Sequence, residues 1–106
     1  MVYSRLKKSS DFSRVYKRGK SFADKYLVMY YMPNNLNETR VGISVSKKVG
    51  KSVIRNRVKR LIKEAFRLNV DLGKYYDIVF IARVRSNEAS YDRIEKSMNF
   101  LLKKLS

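Results

Sequence analysis

The sequence predicts an α+β fold: a two-layer α/β sandwich in which a small sheet carries helices in the order α-β-β-(β)-α-β-α, the bracketed strand being a short additional one. Three stretches predict it. Val41-Gly42-Ile43-Ser44-Val45-Ser46 alternates apolar and small residues, the period of a half-buried strand. From Ser52 onward the period changes: Ile54, Val58, Leu61, Ile62, Ala65 and Phe66 recur at helical spacing and make one apolar stripe. Asp77-Ile78-Val79-Phe80-Ile81-Ala82-Arg83-Val84 is nearly continuously apolar, which suits a strand buried on both faces. This strand–helix–strand unit fits a parallel crossover, and handedness statistics make ~98% of such connections right-handed.

The other elements follow in order. Met1 to Ser9, with Arg5, Lys7 and Lys8, reads as a basic arm that is flexible until bound. Ser9 or Ser10 is placed to cap a short helix containing Asp11 to Tyr16, and Asp11 in its first turn suits the helix dipole. Phe12, Val15 and Tyr16 share a face of that helix. They are either core or, given Arg14, Lys17, Arg18 and Lys20 around them, the wall of a groove where unpaired bases stack at ~1–3 kcal/mol each. Gly19 ends the helix and Ser21 to Lys25 connects onward. Tyr26 to Met32 is a strand with aromatics on both faces: Tyr26, Val28, Tyr30 and Met32 on one, Leu27, Met29 and Tyr31 on the other. Alternation alone does not choose the core side. The turn-rich Pro33 to Thr39 predicts an antiparallel hairpin with Arg40–Ser46.

Between that strand and the central helix lies a basic, glycine-containing turn, Lys47 to Ser52, with Ser52 placed as the helix cap. Leu68 to Tyr76 returns the chain to the sheet, and Val84 to Ala89 reads as a loop. Ser90 then caps a last helix whose Tyr91, Ile94, Met98, Leu101, Leu102 and Leu105 form a core stripe, with Lys103 and Lys104 at its C-terminal end.

Charge bounds the function. The 106 residues, read as one domain over 1–106, hold 25 Lys or Arg against 9 Asp or Glu, a net charge of +16. Such a chain repels itself, so an anionic partner is implied, either nucleic acid or an anionic membrane. No apolar run approaches the ~20 residues of a bilayer span. The basic N-terminus is not followed by an apolar segment, as a secretory signal would be. With no Cys there is no disulfide and no thiolate metal site, which fits the cytoplasm. With no His there is no imidazole acid–base chemistry, and the scattered carboxylates suggest no two-metal nuclease centre. The expectation is therefore no catalytic and no metal-ligating residue in the polypeptide.

The strongest concentration of charge lies on the central helix and the turn before it. Nine Lys or Arg fall between Lys47 and Arg67, against Glu64 alone. Asn56, Lys59, Arg60, Lys63 and Arg67 lie opposite the apolar stripe, with Arg55 and Arg57 on its flanks. Like charges at i,i+4 (Arg55, Lys59, Lys63, Arg67) cost a few tenths of a kcal/mol per pair in an isolated helix. A solvated face normally mixes signs, so this one is read as phosphate-binding. Two positions stay open: Arg57 either contacts RNA or fixes the helix to the sheet, and Asn56 bonds either RNA or a neighbouring loop.

Ser44-Val45-Ser46-Lys47-Lys48 followed by Arg55-Asn56-Arg57-Val58-Lys59-Arg60 closely resembles the signature of the bacterial ribonuclease P protein subunit. The likeness extends upstream to Asp11-Phe12 through Tyr16 and downstream to Asp77 through Arg83. The resemblance implies a left-handed βαβ crossover, against the general statistics. It implies a subunit that joins ribonuclease P RNA and assists removal of the 5′ leader of precursor tRNA, the hydrolysis being done by the RNA and its Mg²⁺, with no cofactor bound by the protein. It assigns Lys47, Lys48, Lys51, Arg55, Asn56, Arg57, Lys59, Arg60 and Lys63 to the catalytic RNA. It assigns a leader-binding cleft to Phe12, Tyr16 and Tyr30, with Arg14 and Lys17 beside them; Tyr16 stands where Phe is common and keeps the ring.

Rival classes differ in what they require. A structural or ribosomal RNA-binding protein would show no leader-dependent affinity, and an autonomous nuclease would cut without an RNA cofactor. A DNA-binding helix-turn-helix lacks its first short helix at the usual turn. A membrane-surface helix would need the apolar stripe that the core already uses.

Overall fold

Five strands and three helices follow one another as β1 (Tyr3–Arg5), α1 (Ser9–Arg18), β2 (Lys20–Ala23), β3 (Leu27–Pro33), β4 (Thr39–Ser44), α2 (Ser52–Asn69), β5 (Tyr76–Ala82) and α3 (Tyr91–Leu102). Short 3-10 turns occupy 47–49, 84–88 and 103–105. The structure is a computed structural model and describes residues 3–105. The strands form one mixed sheet in the order β1-β4-β5-β3-β2. β1 and β5 run parallel to β4, whereas β3 runs antiparallel to both β5 and β2. The α+β sandwich and the parallel β4–α2–β5 unit are as the sequence predicts.

The continuous apolar run of β5 explains its central place. Ile78 and Phe80 turn to one face with Leu27, Met29 and Val41; there α2 brings Val58, Ile62, Ala65 and Phe66, and α3 brings Ile94, Met98 and Leu101. Val79 turns to the other face and packs with Val15 of α1 and with Leu6; Phe12, Tyr30, Met32 and Ile81 lie against this second cluster. The alternation of β3 is thus buried on both sides, Leu27 and Met29 under α2 and α3, Tyr30 and Met32 beside α1. This is why no single core face was legible in it.

Several expectations are corrected. Residues 3–9 are not a free arm: Tyr3 packs edge-on against Phe66 at 5.1 Å, Leu6 is buried, and β1 pairs with β4. Two apolar side chains in the stretch tie it to the core; Met1 and Val2 lie outside the described residues. The expected β3–β4 hairpin does not form, because β5 is inserted between the two strands and satisfies both of their inner edges. The supposed connector at Ser21–Lys25 contains β2, which makes a tight hairpin with β3: Asp24 Oδ1 accepts from the N–H groups of Tyr26 and Leu27 at 2.9 and 3.0 Å. Tyr26 therefore precedes the strand and packs with the α2/α3 core, while its hydroxyl accepts from Arg93. The supposed loop at Val84–Ala89 is a 3-10 turn over Val84–Glu88, closed by the Ser86 hydroxyl on the Arg83 carbonyl.

Serine capping holds at one helix and fails at two. Ser90 Oγ accepts from Arg93 N–H at 3.4 Å. At α1 the cap position is Lys8, because Leu6 N–H already bonds Val41 O at 2.9 Å and the chain turns directly into the helix. At α2 it is Lys51, and Ser52 is already inside the helix.

Candidate nucleic-acid interface

The basic turn is shaped by Gly50. Its φ of 155° with ψ of −171° is open to glycine only, and a Cβ there would stand 3.1 Å from three atoms of Ile54. This bend presents Lys47, Lys48 and Lys51 beside the first turn of α2 and buries Val49 beneath them. Arg55 Nε donates back to Gly50 O at 3.2 Å and holds the bend closed.

The remaining cations of α2 divide by what they touch. Arg57 donates to Asn87 O at 2.8 Å and to Ala89 O at 3.1 Å, tying α2 to the turn before α3. Its flank position thus fixes the helix, though to that turn rather than to the sheet. Arg67 is held by Glu64, whose carboxyl is lowered by that hydrogen bond while the guanidinium is raised. Lys59, Arg60 and Lys63, like Lys47, Lys48 and Lys51, have no side-chain hydrogen bond or ion pair among the described residues. This row of cations therefore has no counter-charge from the described residues.

Asn56, Lys59 and Lys63 also line a groove of about 860 Å³ with Arg5, Lys7 and Phe12. Phe12 reaches it because Gly42 has no side chain: a Cβ at Gly42 would lie 2.5 Å from Phe12 Cζ. From there the aromatic surface continues across α1. Phe12 and Tyr16 are 6.4 Å apart between centroids, and Tyr16 meets Tyr30 edge-on at 5.1 Å. Val15 is fully buried, Phe12 and Tyr30 are half-buried, and Tyr16 is exposed at its edge. Burial raises the Tyr16 hydroxyl and neighbouring Tyr30 adds to this, against a lowering hydrogen bond with Ser44. Asn56, Lys59 and Lys63 of α2 thus adjoin the row of three rings at Phe12, which lines the groove and packs with Tyr16.

Arg14 does not face that path freely. One of its guanidinium nitrogens bonds both Asp11 at 3.0 Å and Asp77 at 3.1 Å. Asp77 is buried and also receives Arg40 through two bonds, at 2.8 and 2.7 Å, and Asn34 at 2.9 Å. Burial alone would raise this carboxyl, but the bonds from Arg40, Asn34 and Arg14 outweigh it and hold it below its ordinary value. Arg40 is raised by the same contact. The cluster ties α1 to β4 and β5 and so sets the position of Phe12 and Tyr16. Lys17 stays exposed on α1. Sequence reasoning missed Arg5 and Lys7 as groove residues, although the apolar Tyr3 and Leu6 beside them marked the stretch as docked.

A mixed sheet with one uncompensated basic helix and an aromatic groove on its other side defines a small RNA-binding domain of the α+β class. The ribonuclease P family matches residues 2–106. The ribonuclease P protein component of Clostridioides difficile is 61% identical over 93% of this chain and 89% of its own, and that of Clostridium botulinum strain Langeland is 55% identical over 98% and 96%. The Staphylococcus aureus RNase P protein superposes with a TM-score of 0.87 at 40% identity, covering 94% of this chain and 93% of that one. The Thermotoga maritima RNase P protein gives 0.83 at 32% identity, covering 93% and 96%. The chain belongs to the ribonuclease P protein family, and its role is that of the protein subunit in tRNA 5′ processing.

Proposed function

We propose that the chain binds ribonuclease P RNA through Lys47, Lys48, Lys51 and the α2 face of Arg55, Asn56, Lys59, Arg60 and Lys63, with Arg57 holding that face in place. The 5′ leader of precursor tRNA lies along Phe12, Tyr16 and Tyr30, with Lys17 beside it and Arg14 fixing α1 from below. The observation that carries this reading is the junction at Phe12, where the groove lined by Lys59 and Lys63 reaches the row of rings that continues through Tyr16 to Tyr30. A continuous path lets one protein neutralise the catalytic RNA and hold the substrate's single strand extended beside it.

The hydrolysis belongs to the RNA and its Mg²⁺, in the cytoplasm, and the protein contributes substrate affinity and positioning. Mixing the protein with a bacterial ribonuclease P RNA and precursor tRNA at low Mg²⁺ tests this: 5′ cleavage is restored, and an Arg60→Ala/Lys63→Ala protein restores less of it. No rescue at any protein concentration would reject the reading.

A further inference from the structure

The sheet face covered by α2 and α3 ends, at the β2 edge, in aromatic groups that the core does not use. Strand register pairs Phe22 with Met29 and Lys20 with Tyr31, so Lys20 and Phe22 stand on the α3 side, opposite the face that carries Tyr30. Phe22 stacks on Tyr31 with centroids 5.9 Å apart and planes 8° from parallel, yet is 37% exposed. Phe100 of α3 is 48% exposed. Lys104 bridges them, its Nζ 4.8 Å from the Phe100 centroid and 5.6 Å from that of Phe22. Neither Lys20 nor Lys104 has an acidic partner among the described residues.

We propose that Phe100, Phe22 and Lys104 form a second RNA contact, in which a base of single-stranded RNA stacks on the Phe100 ring and its phosphate pairs with the Lys104 ammonium. Flat rings beside cations are the general device for holding single strands, because every base offers a π-face. Lys104 is already held by cation–π contact with both rings, so it meets the phosphate of a stacked nucleotide in place. A second copy of the chain is the wrong occupant. Two molecules of net charge +16 repel, and β2 is a short, fully exposed edge headed by Lys20, which discourages strand pairing. If the rings served only to cover the sheet edge, Phe100 would not need to stay half in solvent. This site lies on the opposite side of the sheet from the leader cleft and does not depend on it.

The chain contains no Trp, so Phe100→Trp supplies a single fluorescent reporter. Titration of that variant with a uridine pentanucleotide is expected to quench its emission saturably. Adding Phe22→Ala should weaken the midpoint about fivefold or more, and adding Lys104→Gln should flatten the dependence of log affinity on log salt by about 0.7. A thermal melt of each variant confirms folding. Adding Phe12→Ala should leave quenching unchanged, which separates this site from the cleft. The proposal is overturned by absent quenching, by quenching that vanishes with Phe12→Ala, by midpoint and slope both unmoved in the Phe22 and Lys104 variants, or by equal quenching of a Leu36→Trp control in the exposed 33–39 loop. An emission shift with protein concentration in the absence of RNA would assign the surface to a second copy and overturn it as well.

Discussion

Phe12 is the residue at which packing and recognition are hardest to separate, because its ring touches Gly42 of the sheet and also borders the groove. Phe12→Ala is expected to weaken precursor tRNA binding by ~1–3 kcal/mol while affinity for mature tRNA and assembly with ribonuclease P RNA hold. If the ring were core alone, truncation would cost ~3–5 kcal/mol of stability and every binding activity would fall together. A thermal melt beside the two tRNA titrations distinguishes the outcomes. Asp77 poses the opposite case, a charge that binds nothing outside the protein. Its carboxyl is lowered in the fold, so its contribution to stability is complete above the ordinary Asp value of about 3.9 and is lost as pH falls from there through the folded value. Asp77→Asn leaves Arg40 and Arg14 without their shared counter-charge and should cost about 3–5 kcal/mol at neutral pH. Denaturant melts of both proteins from pH 7 to pH 3 should show the difference shrinking only at the acid end. A constant difference across that range would mean that the carboxylate charge is not what stabilises the site.

Among the elements, α2 does the most and was the most legible. Its apolar stripe and basic face are written in two sets of helical spacings, and both sets stand where those spacings put them. What the local pattern could not hold was strand order. The alternation of β3 and β4 is compatible with direct pairing, and only the burial demanded by the apolar run of β5 places that strand between them. Short edges were hidden for a related reason: β1 and β2 are three and four residues long, too short for a period to show. Arg57 was ambiguous because its partners are backbone carbonyls 30 and 32 residues away, which have no sequence signature. The same division of cations yields a prediction. Replacing Arg60 and Lys63 by Ala should flatten the salt dependence of ribonuclease P RNA binding by up to ~2 in slope, with little change in melting temperature. Arg57→Ala should lower the melting temperature, since it removes two bonds between α2 and the turn before α3. A stable Arg57→Ala protein with a flattened slope would return that residue to the RNA-facing set.

At the scale of the whole molecule, six of the nine carboxylates are committed to structure. Asp11 and Asp77 bind Arg14 and Arg40; Asp24 shapes the β2–β3 turn and accepts from Ser97; Glu64 holds Arg67; Asp92 pairs with Lys96; Glu95 accepts from Asn69 and Tyr91. Among the described residues only the carboxylates of Glu38, Asp71 and Glu88 make no side-chain hydrogen bond or ion pair, and they stand on separate elements, before β4, after α2 and in the turn before α3. A carboxylate held below its ordinary value by arginines is a poor general base at neutral pH, because proton transfer favours groups that titrate near the working pH. The chain has no His to serve instead. The purified protein, freed of RNA by nuclease treatment and high-salt chromatography, is therefore expected to leave precursor tRNA uncut over hours, and adding ribonuclease P RNA with Mg²⁺ should start cleavage at the 5′ leader junction. Asp77→Asn and Glu64→Gln should reduce that reconstituted activity only as far as they reduce stability or binding. Cleavage by the RNA-free protein, abolished by replacing any one of its nine carboxylates, would place chemistry in the polypeptide and refute the division of labour between protein and RNA.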